Sequence, residues 1–576
     1  MGQANRAQHA PTEATALSRS GSARHAWLAL AALLFLFELP SVWLAQAPRL
    51  SGEPFVLLSV WLMSLRLRRG AVLRTAVLLA TLLSVLVVLD RAGFRRFMGE
   101  EPLLYDQLFM LRHLFVLVGD LWSAQVLALL VALLLAIGLG ALGVKILLRS
   151  AAALTDPSRL RRTFSVCGAV LVCVLIGTFV PPGAASAVSW TTPELIDNLA
   201  RSRTIYRAVR RGLRHSPYSA YSKIRLRRRP DVYLILFESY GRIVAERPSL
   251  RTAWTQRVTG METRLRKAGW SAVSGFSQAP VMGGRSWLAE GTLLMGRRVR
   301  YEAVFRQLVA DVGRVPSLGA FLGAQGYQRV LLAPADRERS GVEDIEYYRY
   351  EQSLHFNDLG YRGPRIGWGL VPDQYSLEFA DEQILRRVRR PLFFNFHMVS
   401  SHAPWQEVPE LVDDWHALNV GLAAPTTAVD EPELAKRLKR YARGPRRFTH
   451  MGELSEQVAA NYLQTILYDL AVLEDHLSRL KDDAIVIVVG DHQPPVVAAE
   501  TRSFDTPMHV FARDPALLQE WSAHGFSPGM ILGPDDKRAI RHEGLFSILV
   551  RALVRGGGTD EALPEYLPGG ADTDGT

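Results

Sequence analysis

The sequence predicts an N-terminal α-helical transmembrane bundle of about five helices, followed by an α/β domain with a central, mainly parallel sheet. Three observations carry this reading. The chain has 576 residues and is 48% hydrophobic, but its long apolar runs crowd into the first third. The remainder alternates short apolar runs with helical stretches. Several of those short runs end in residues able to do chemistry, as parallel strands do at the shared edge where ligands bind.

The apolar segments are 27–47, 55–67, 71–89, 122–148 and 164–180. About 20 apolar residues cross the hydrocarbon core, so the second segment depends on its flanks. Glu38 and Pro40 interrupt the first segment and mark a kinked or functional position. That segment lies too deep to be a simple signal peptide. Basic residues cluster before the first segment (Arg19, Arg24), between the second and third (Arg66, Arg68, Arg69, Arg74) and between the fourth and fifth (Lys145, Arg149, Arg159, Arg161, Arg162). With five crossings all three clusters fall on one side, which places the N-terminus in the cytoplasm and everything after residue 182 outside. Arg91, Arg95, Arg96 and the basic run 201–229 then lie outside, and distance from a span weakens their vote. The stretch 193–215 reads either as an amphipathic helix on the outer leaflet or as a solvated linker helix.

These features divide the chain into a disordered tail (1–23), a transmembrane domain (24–182), a basic juxtamembrane linker helix (183–230), an extracytoplasmic domain (231–555) and a second disordered tail (556–576). The net charge of +11 calls for an acidic partner. No zinc-finger or nucleic-acid signature is present, so membrane lipid is expected and nucleic acid is not. Both cysteines, Cys167 and Cys173, lie in an apolar run, so the α/β domain has no disulfide, thiolate metal site or cysteine nucleophile.

The most informative segment is Ala484-Ile485-Val486-Ile487-Val488-Val489-Gly490, a buried strand that runs into Asp491-His492 and is stopped by Pro494 and Pro495. A strand end offering a carboxylate and an imidazole suits metal ligation or acid/base work. Asp231-Val232-Tyr233-Leu234-Ile235-Leu236-Phe237 is a second buried strand, ending in Glu238. Glu238 reads as a metal ligand or as a helix first-turn acid. A third strand, 270–276, leads through Gly283-Gly284-Arg285 to Ser286, which opens an apolar helix. Ser286 reads as an N-cap or as a nucleophile at a helix N-terminus, where glycines let a phosphoryl group approach backbone N–H groups. Arg285 adds charge there, and Ser277 and Thr292 are weaker competitors. A fourth strand, 392–399, holds His397, read as a core histidine, and empties into Ser400-Ser401-His402. His402 can donate to a phosphate oxygen or protonate a leaving group. Glu238, Ser286, Asp491 and His492 together offer three oxygens and one nitrogen, a set that suits Mn²⁺, Zn²⁺ or Mg²⁺. Such an ion would ease loss of the Ser286 proton.

At this point the chain resembles the alkaline phosphatase superfamily, and within it the sulfatase-like membrane transferases: lipoteichoic acid synthase, phosphoglycerol transferases and phosphoethanolamine transferases. The matching segments are 234–241 (LILFESYG), 283–286 (GGRS), 399–405 (VSSHAPW) and 489–493 (VGDHQ). Trp368-Gly369-Leu370-Val371-Pro372-Asp373 is similar to the family's Trp-Gly…Asp segment, and 461–480 with Tyr468-Asp469 is similar to the helix before its Asp-His strand. The resemblance implies an alkaline-phosphatase-like fold for 231–555, in a bacterial cytoplasmic membrane protein. It implies that Glu238, Asp491 and His492 bind one divalent ion, that Ser286 carries a covalent phospho-substituent, and that His402 meets the phosphate or the leaving group. Arg285, Trp368 and Asp373 are the expected substrate-binding residues. Many of the transferases carry Thr where this chain has Ser286. A sulfatase would need a C/S-x-P/A-x-R motif, but here Leu288 and Glu290 stand at its third and fifth positions, so "sulfatase-like" describes the fold.

The expected activity is transfer of phosphoglycerol or phosphoethanolamine from a membrane phospholipid donor to an extracytoplasmic glycan or lipid acceptor. Hydrolysis of phosphate or sulfate esters is the second reading, and a non-catalytic membrane scaffold is the third. The charged insertion 409–456 reads as part of an acceptor site or as a solvated excursion.

Overall fold

The computed structural model describes residues 216–310, 315–336, 348–363, 371–403, 405, 411–419, 454–480, 483–494, 497–498, 503–558 and 562–571, with helices Gly70–Met98 and Thr191–Gly212 and a few short pieces of the N-terminal third. The chain divides into two compact units, 1–96 with 100–202, and 97–99 with 203–576.

In the first unit the apolar segment 71–89 lies within the helix Gly70–Met98. Strands Leu50–Ser51 and Val188–Ser189 pair in parallel. The segments 27–47, 122–148 and 164–180 and the tail 1–23 lie outside the described residues, apart from isolated positions. Among the described residues, no helix is long and apolar enough to cross a membrane.

The second unit is built on a nine-stranded sheet. Its strands are β1 (Asp231–Phe237), β2 (Ser271–Gln278), β3 (Gln328–Ala333), β4 (Gln352–His355), β5 (Leu392–His397), β6 (Ala484–Gly490), β7 (Asp505–Ala512), β8 (Ser527–Pro528) and β9 (Arg538–Arg541). The order is β8-β2-β7-β6-β1-β5-β3-β4, with β9 beside β2. Strands β6, β1, β5, β3 and β4 are mutually parallel. Residues of β1 and β6 are almost wholly buried, which explains why both read as unbroken apolar runs. The sheet is mainly parallel, as expected, with β7 antiparallel to both β6 and β2 and the short β8 antiparallel to β2. As an antiparallel neighbour, β7 starts at the edge where β6 ends and needs no crossover to the far edge.

Helices α1 (Pro248–Lys267), α2 (Ser286–Met295), α3 (Asp373–Gln383), α4 (Leu454–Arg479) and α5 (Leu545–Gly556) accompany the sheet. One core joins Trp254, Val258 and Met261 of α1, Ile466 and Leu473 of α4, and Tyr233, Phe394 and Val486 of the sheet. The alternate residues Tyr233, Ile235 and Phe237 of β1 all enter it, as a period of two requires.

Two boundaries move. The stretch before residue 231 is not all linker. Tyr218 and Tyr221 are buried, and Tyr218 stacks on Phe546 of α5 at 4.4 Å. Arg228 forks onto Asp483, with its Nη2 2.6 Å from Oδ1, and also pairs with Asp514. The apolar faces of the two tyrosines make 216–230 part of the domain, which the dense arginines conceal in the sequence. Nor is 556–576 a disordered tail throughout. Leu567 N donates to Ser547 Oγ at 2.8 Å, Ala571 N donates to Gly296 O at 2.7 Å, and Tyr566 stacks on His524. Backbone hydrogen bonds and one aromatic ring outweigh the Gly- and Pro-rich composition of 562–571.

Candidate metal centre

Register places the centre. Phe237 of β1 pairs with Gly490 of β6, so the next residues, Glu238 and Asp491, emerge side by side. The strands meet so closely here that a Cβ on Gly490 would lie 1.9 Å from Tyr240 O. Past its last residue β1 turns sharply, with Ser239 at φ 56, a left-handed value uncommon for serine. This aims the Ser239 N–H at Asp491 Oδ1, 2.8 Å away, and the Ser239 hydroxyl donates to Glu238 Oε1 at 2.7 Å. The His492 N–H also donates to Asp491 Oδ1, at 2.7 Å.

Ser286 arrives from the other side. Gly283, Gly284 and Arg285 all hold positive φ, at 88, 61 and 61. Glycine adopts that region freely, whereas for Arg285 it is strained. Arg285 takes the N-cap position without a side-chain cap, so Ser286 is the first residue of α2 and its hydroxyl is not spent on capping. It donates instead to Glu238 Oε2 at 3.2 Å and lies 3.5 Å from His492 Nε2. His492 Nε2 is 3.5 Å from Glu238 Oε1 and 3.4 Å from Asp491 Oδ2. His492 Nδ1 lies 3.0 Å from Gln493 O, which can only accept, so Nδ1 carries a proton and Nε2 is turned toward the two carboxyls.

Glu238, Asp491 and His492 are all buried, and each offers a ligand atom within 4.8 Å of the others. Burial, then the charge of Glu238, pushes the Asp491 carboxyl up to about 7. Burial also acts against ionised Glu238, but His492, His402 and the Ser239 hydrogen bond more than offset it and hold Glu238 below its usual range. Two facing buried carboxyls, an imidazole nitrogen and a hydroxyl fit a divalent cation: its charge would let both carboxyls ionise, and the donors are oxygen and nitrogen.

The third wall is the turn after β5. His402 N donates to Val399 O at 3.0 Å, and Ser401 Oγ donates to the Glu238 carbonyl at 2.7 Å. His402 Nδ1 pairs with Ala403 O. Asp373, expected as a substrate-binding residue, is fully buried at the start of α3. Its carboxylate accepts from Val399 N at 2.9 Å and from Ser400 N at 2.9 Å, while its own N–H donates to Ser400 Oγ at 3.0 Å. Backbone N–H groups and the Asp469 side chain take up its carboxyl, so Asp373 is a brace that holds the His402 turn. Trp368 lies outside the described residues. The Arg285 guanidinium donates to Arg300 O at 3.3 Å, which orients it across the loop. His397 is partnered, as expected: its Nε2 is 3.1 Å from Glu290 Oε1, which also accepts from Asn395 Nδ2 at 2.7 Å.

Sequence reasoning missed three supporting residues. Asp469 of α4 is fully buried against Asp373 and Ser401, and burial, then the Asp373 charge, raises its carboxyl well above the usual range. Ser401 ties the turn to Glu238. His542 reaches 3.1 Å from Gly490 O and 2.8 Å from Ser277 Oγ, and burial lowers its pKa to about 3. It is therefore neutral, donating from Nε2 to the end of β6 and accepting from Ser277. Asp469 and Ser401 lay in the matching segments 461–480 and 399–405 without an assigned role, and His542 left no trace in the sequence.

Strand ends of one α/β sheet thus converge with a helix-opening Ser on a single edge, where α/β proteins place their ligand sites. The Sulfatase family model matches residues 275–547. Among solved structures, similarity extends to lipooligosaccharide phosphoethanolamine transferase A of Neisseria meningitidis (13% identity, 93% of this chain and 95% of that one, TM-score 0.46). It extends also to a Streptococcus pyogenes phosphoglycerol transferase (14%, 62% and 82%, TM-score 0.37). A lipoteichoic acid synthase of Listeria monocytogenes is similar too (12%, 62% and 80%, TM-score 0.37). No curated relative matches the chain.

Proposed function

We propose that the protein is a membrane-bound, metal-dependent transferase moving a phosphoglycerol or phosphoethanolamine group from a phospholipid to an extracytoplasmic glycan or lipid. The observation that carries this reading is the Ser286 hydroxyl, uncapped at the start of α2 and 3.2 Å from Glu238 Oε2. In the first half-reaction Ser286 Oγ bonds to phosphorus and the bond from phosphorus to the diacylglycerol oxygen breaks. The Ser286 proton is released to solvent, and His402 protonates the departing oxygen. In the second, the acceptor hydroxyl returns a proton to His402 and bonds to phosphorus. The Ser286–phosphorus bond breaks, and Ser286 Oγ takes a proton from solvent. A divalent ion held by Glu238, Asp491 and His492 would supply positive charge that lowers the proton affinity of the Ser286 hydroxyl.

The lipid donor is supported by the first unit. The helix Gly70–Met98 exposes Val72, Leu79 and Leu83, at 77%, 59% and 63%, along one face that water would not tolerate and lipid would cover. Under this reading 24–182 is a multi-pass domain of a bacterial cytoplasmic membrane, with the catalytic domain outside.

Intact-mass analysis of the full chain, incubated with phosphatidylglycerol or phosphatidylethanolamine and Mn²⁺ or Zn²⁺, should reveal one head-group adduct that Ser286→Ala abolishes. Full turnover by Ser286→Ala would overturn the proposal. The sulfatase-family domain favours a second reading, hydrolysis with water as acceptor. Rapid cleavage of soluble aryl phosphodiesters with no gain from lipid would select it.

A further inference from the structure

The helix Thr191–Gly212 has its polarity inverted. Its buried stripe is Asn198, Ser202 and Ile205, spaced four and three residues apart; Asn198 Nδ2 donates to Pro102 O at 2.7 Å, and Ser202 Oγ donates to Asn198 O at 2.8 Å. Its exposed side carries Ile196 at 62% and Leu199 at 51%. At about 100° per residue, Ile196, Leu199, Ala200, Arg203 and Arg207 fall on one face. That face is apolar through its first turns and cationic through its later ones, and Ala200, Arg203 and Arg207 are exposed. Asp197 stands about a quarter turn away. A helix packed as an ordinary surface element would bury the Ile and Leu and expose the Asn and Ser.

We propose that this face lies on the membrane surface, with Ile196 and Leu199 at the acyl boundary and Arg203 and Arg207 on anionic lipid phosphates. Charge decides between occupants. A purely apolar groove would match the first two residues and strand the arginines, whereas an anionic leaflet supplies both layers at the right depth. The inference rests on the membrane reading of the first unit and adds a lipid-facing surface to it.

The test uses the full chain, with Cys167→Ala and Cys173→Ala, in nanodiscs of phosphatidylcholine with and without phosphatidylglycerol. An environment-sensitive dye is placed at Leu199→Cys or, as a reference, at Leu79→Cys. Blue-shifted emission at 199, quenching by brominated lipid, and iodide quenching reduced several-fold support the proposal. The lipid quenching should strengthen with phosphatidylglycerol, and Arg203→Gln with Arg207→Gln should remove that gain. Iodide access at 199 together with lipid quenching at 79 overturns the helix proposal and leaves the membrane reading intact. Iodide access at both positions overturns the membrane reading itself. Shielding of 199 from both quenchers overturns the proposal in favour of a second copy or another protein. Any charge-independent lipid contact would overturn the role given to the two arginines.

Discussion

The Ser401 hydroxyl donates to the backbone carbonyl of Glu238 across 2.7 Å. This one bond joins the turn that carries His402 to the strand end that carries the first carboxylate. Glu238 and His402 are thereby tied into one frame, not merely near each other. Ser401→Ala should lower kcat about fivefold, the cost of about 1 kcal/mol of lost hydrogen bond read at the transition state, with metal content unchanged. Metal analysis alongside steady-state kinetics separates this from loss of the ion.

Removing the ion should expose the repulsion between Glu238 and Asp491. The folded metal-free domain holds the Asp491 carboxyl up, at about 7, above its value in the unfolded chain. The folded state then binds more protons between about pH 4 and 7, so its stability falls as pH rises through that window. Asp491→Asn should flatten that part of the slope and make the metal-free protein more stable at pH 8. The same change should abolish the melting-temperature gain that saturating Mn²⁺ or Zn²⁺ gives the wild type, on the order of 5 °C. Thermal melts with chelator and with metal, across pH, check both signs.

Asp373 and Asp469 should respond differently to the same substitution. Asp373 accepts backbone N–H groups and so carries the charge of the pair, while Asp469 is held protonated. Asp469→Asn preserves a neutral group and should cost little near pH 7. Asp373→Asn points donors at the N–H groups of Val399 and Ser400 and should cost about 1–3 kcal/mol. Both folded-state carboxyls are raised, Asp373 to about 6, so each contributes stability that is lost as pH rises above about 4. Urea titrations at pH 5 and 8 should show a smaller pH loss in Asp469→Asn.

Arg285→Gly should separate folding from function. Glycine relieves the left-handed backbone at this position, worth about 1 kcal/mol. The same change removes the guanidinium expected to meet an anionic donor, so KM for phosphatidylglycerol should rise while chemical stability increases. Chemical denaturation and kinetics on one preparation would reveal the opposed effects.

Tyr218→Ala should destabilise the catalytic domain by about 3 kcal/mol, because the ring is fully packed against Phe546. A fragment beginning at 231 should aggregate, and one beginning at 216 should fold. Solubility and cooperative unfolding of the two fragments decide this.

Much of the site was legible because each member sits at the end of an apolar run. Buried parallel strands write themselves as Asp231-Val232-Tyr233-Leu234-Ile235-Leu236-Phe237 and Ala484-Ile485-Val486-Ile487-Val488-Val489-Gly490, and the residue that follows is released at the ligand-binding edge. Ser286 was legible through Gly283 and Gly284. What supports these residues was not. Asp469 lies in mid-helix, where an acid ordinarily faces solvent, and His542 follows a four-residue strand with no pattern of its own. Asp373 looked like a substrate contact because a helix-opening acid after a Trp-Gly segment has the same letters whether it faces inward or outward.

By itself the sequence determined the strand ends, the donor types and the chemistry open to them, since local hydrophobic period and residue type decide those. Only the tertiary structure decided that Phe237 stands opposite Gly490, that β7 returns antiparallel, and that Asp373 turns inward to hold Val399 and Ser400. Register and burial depend on contacts between residues far apart in the chain, and no local pattern encodes which partner a buried carboxylate meets.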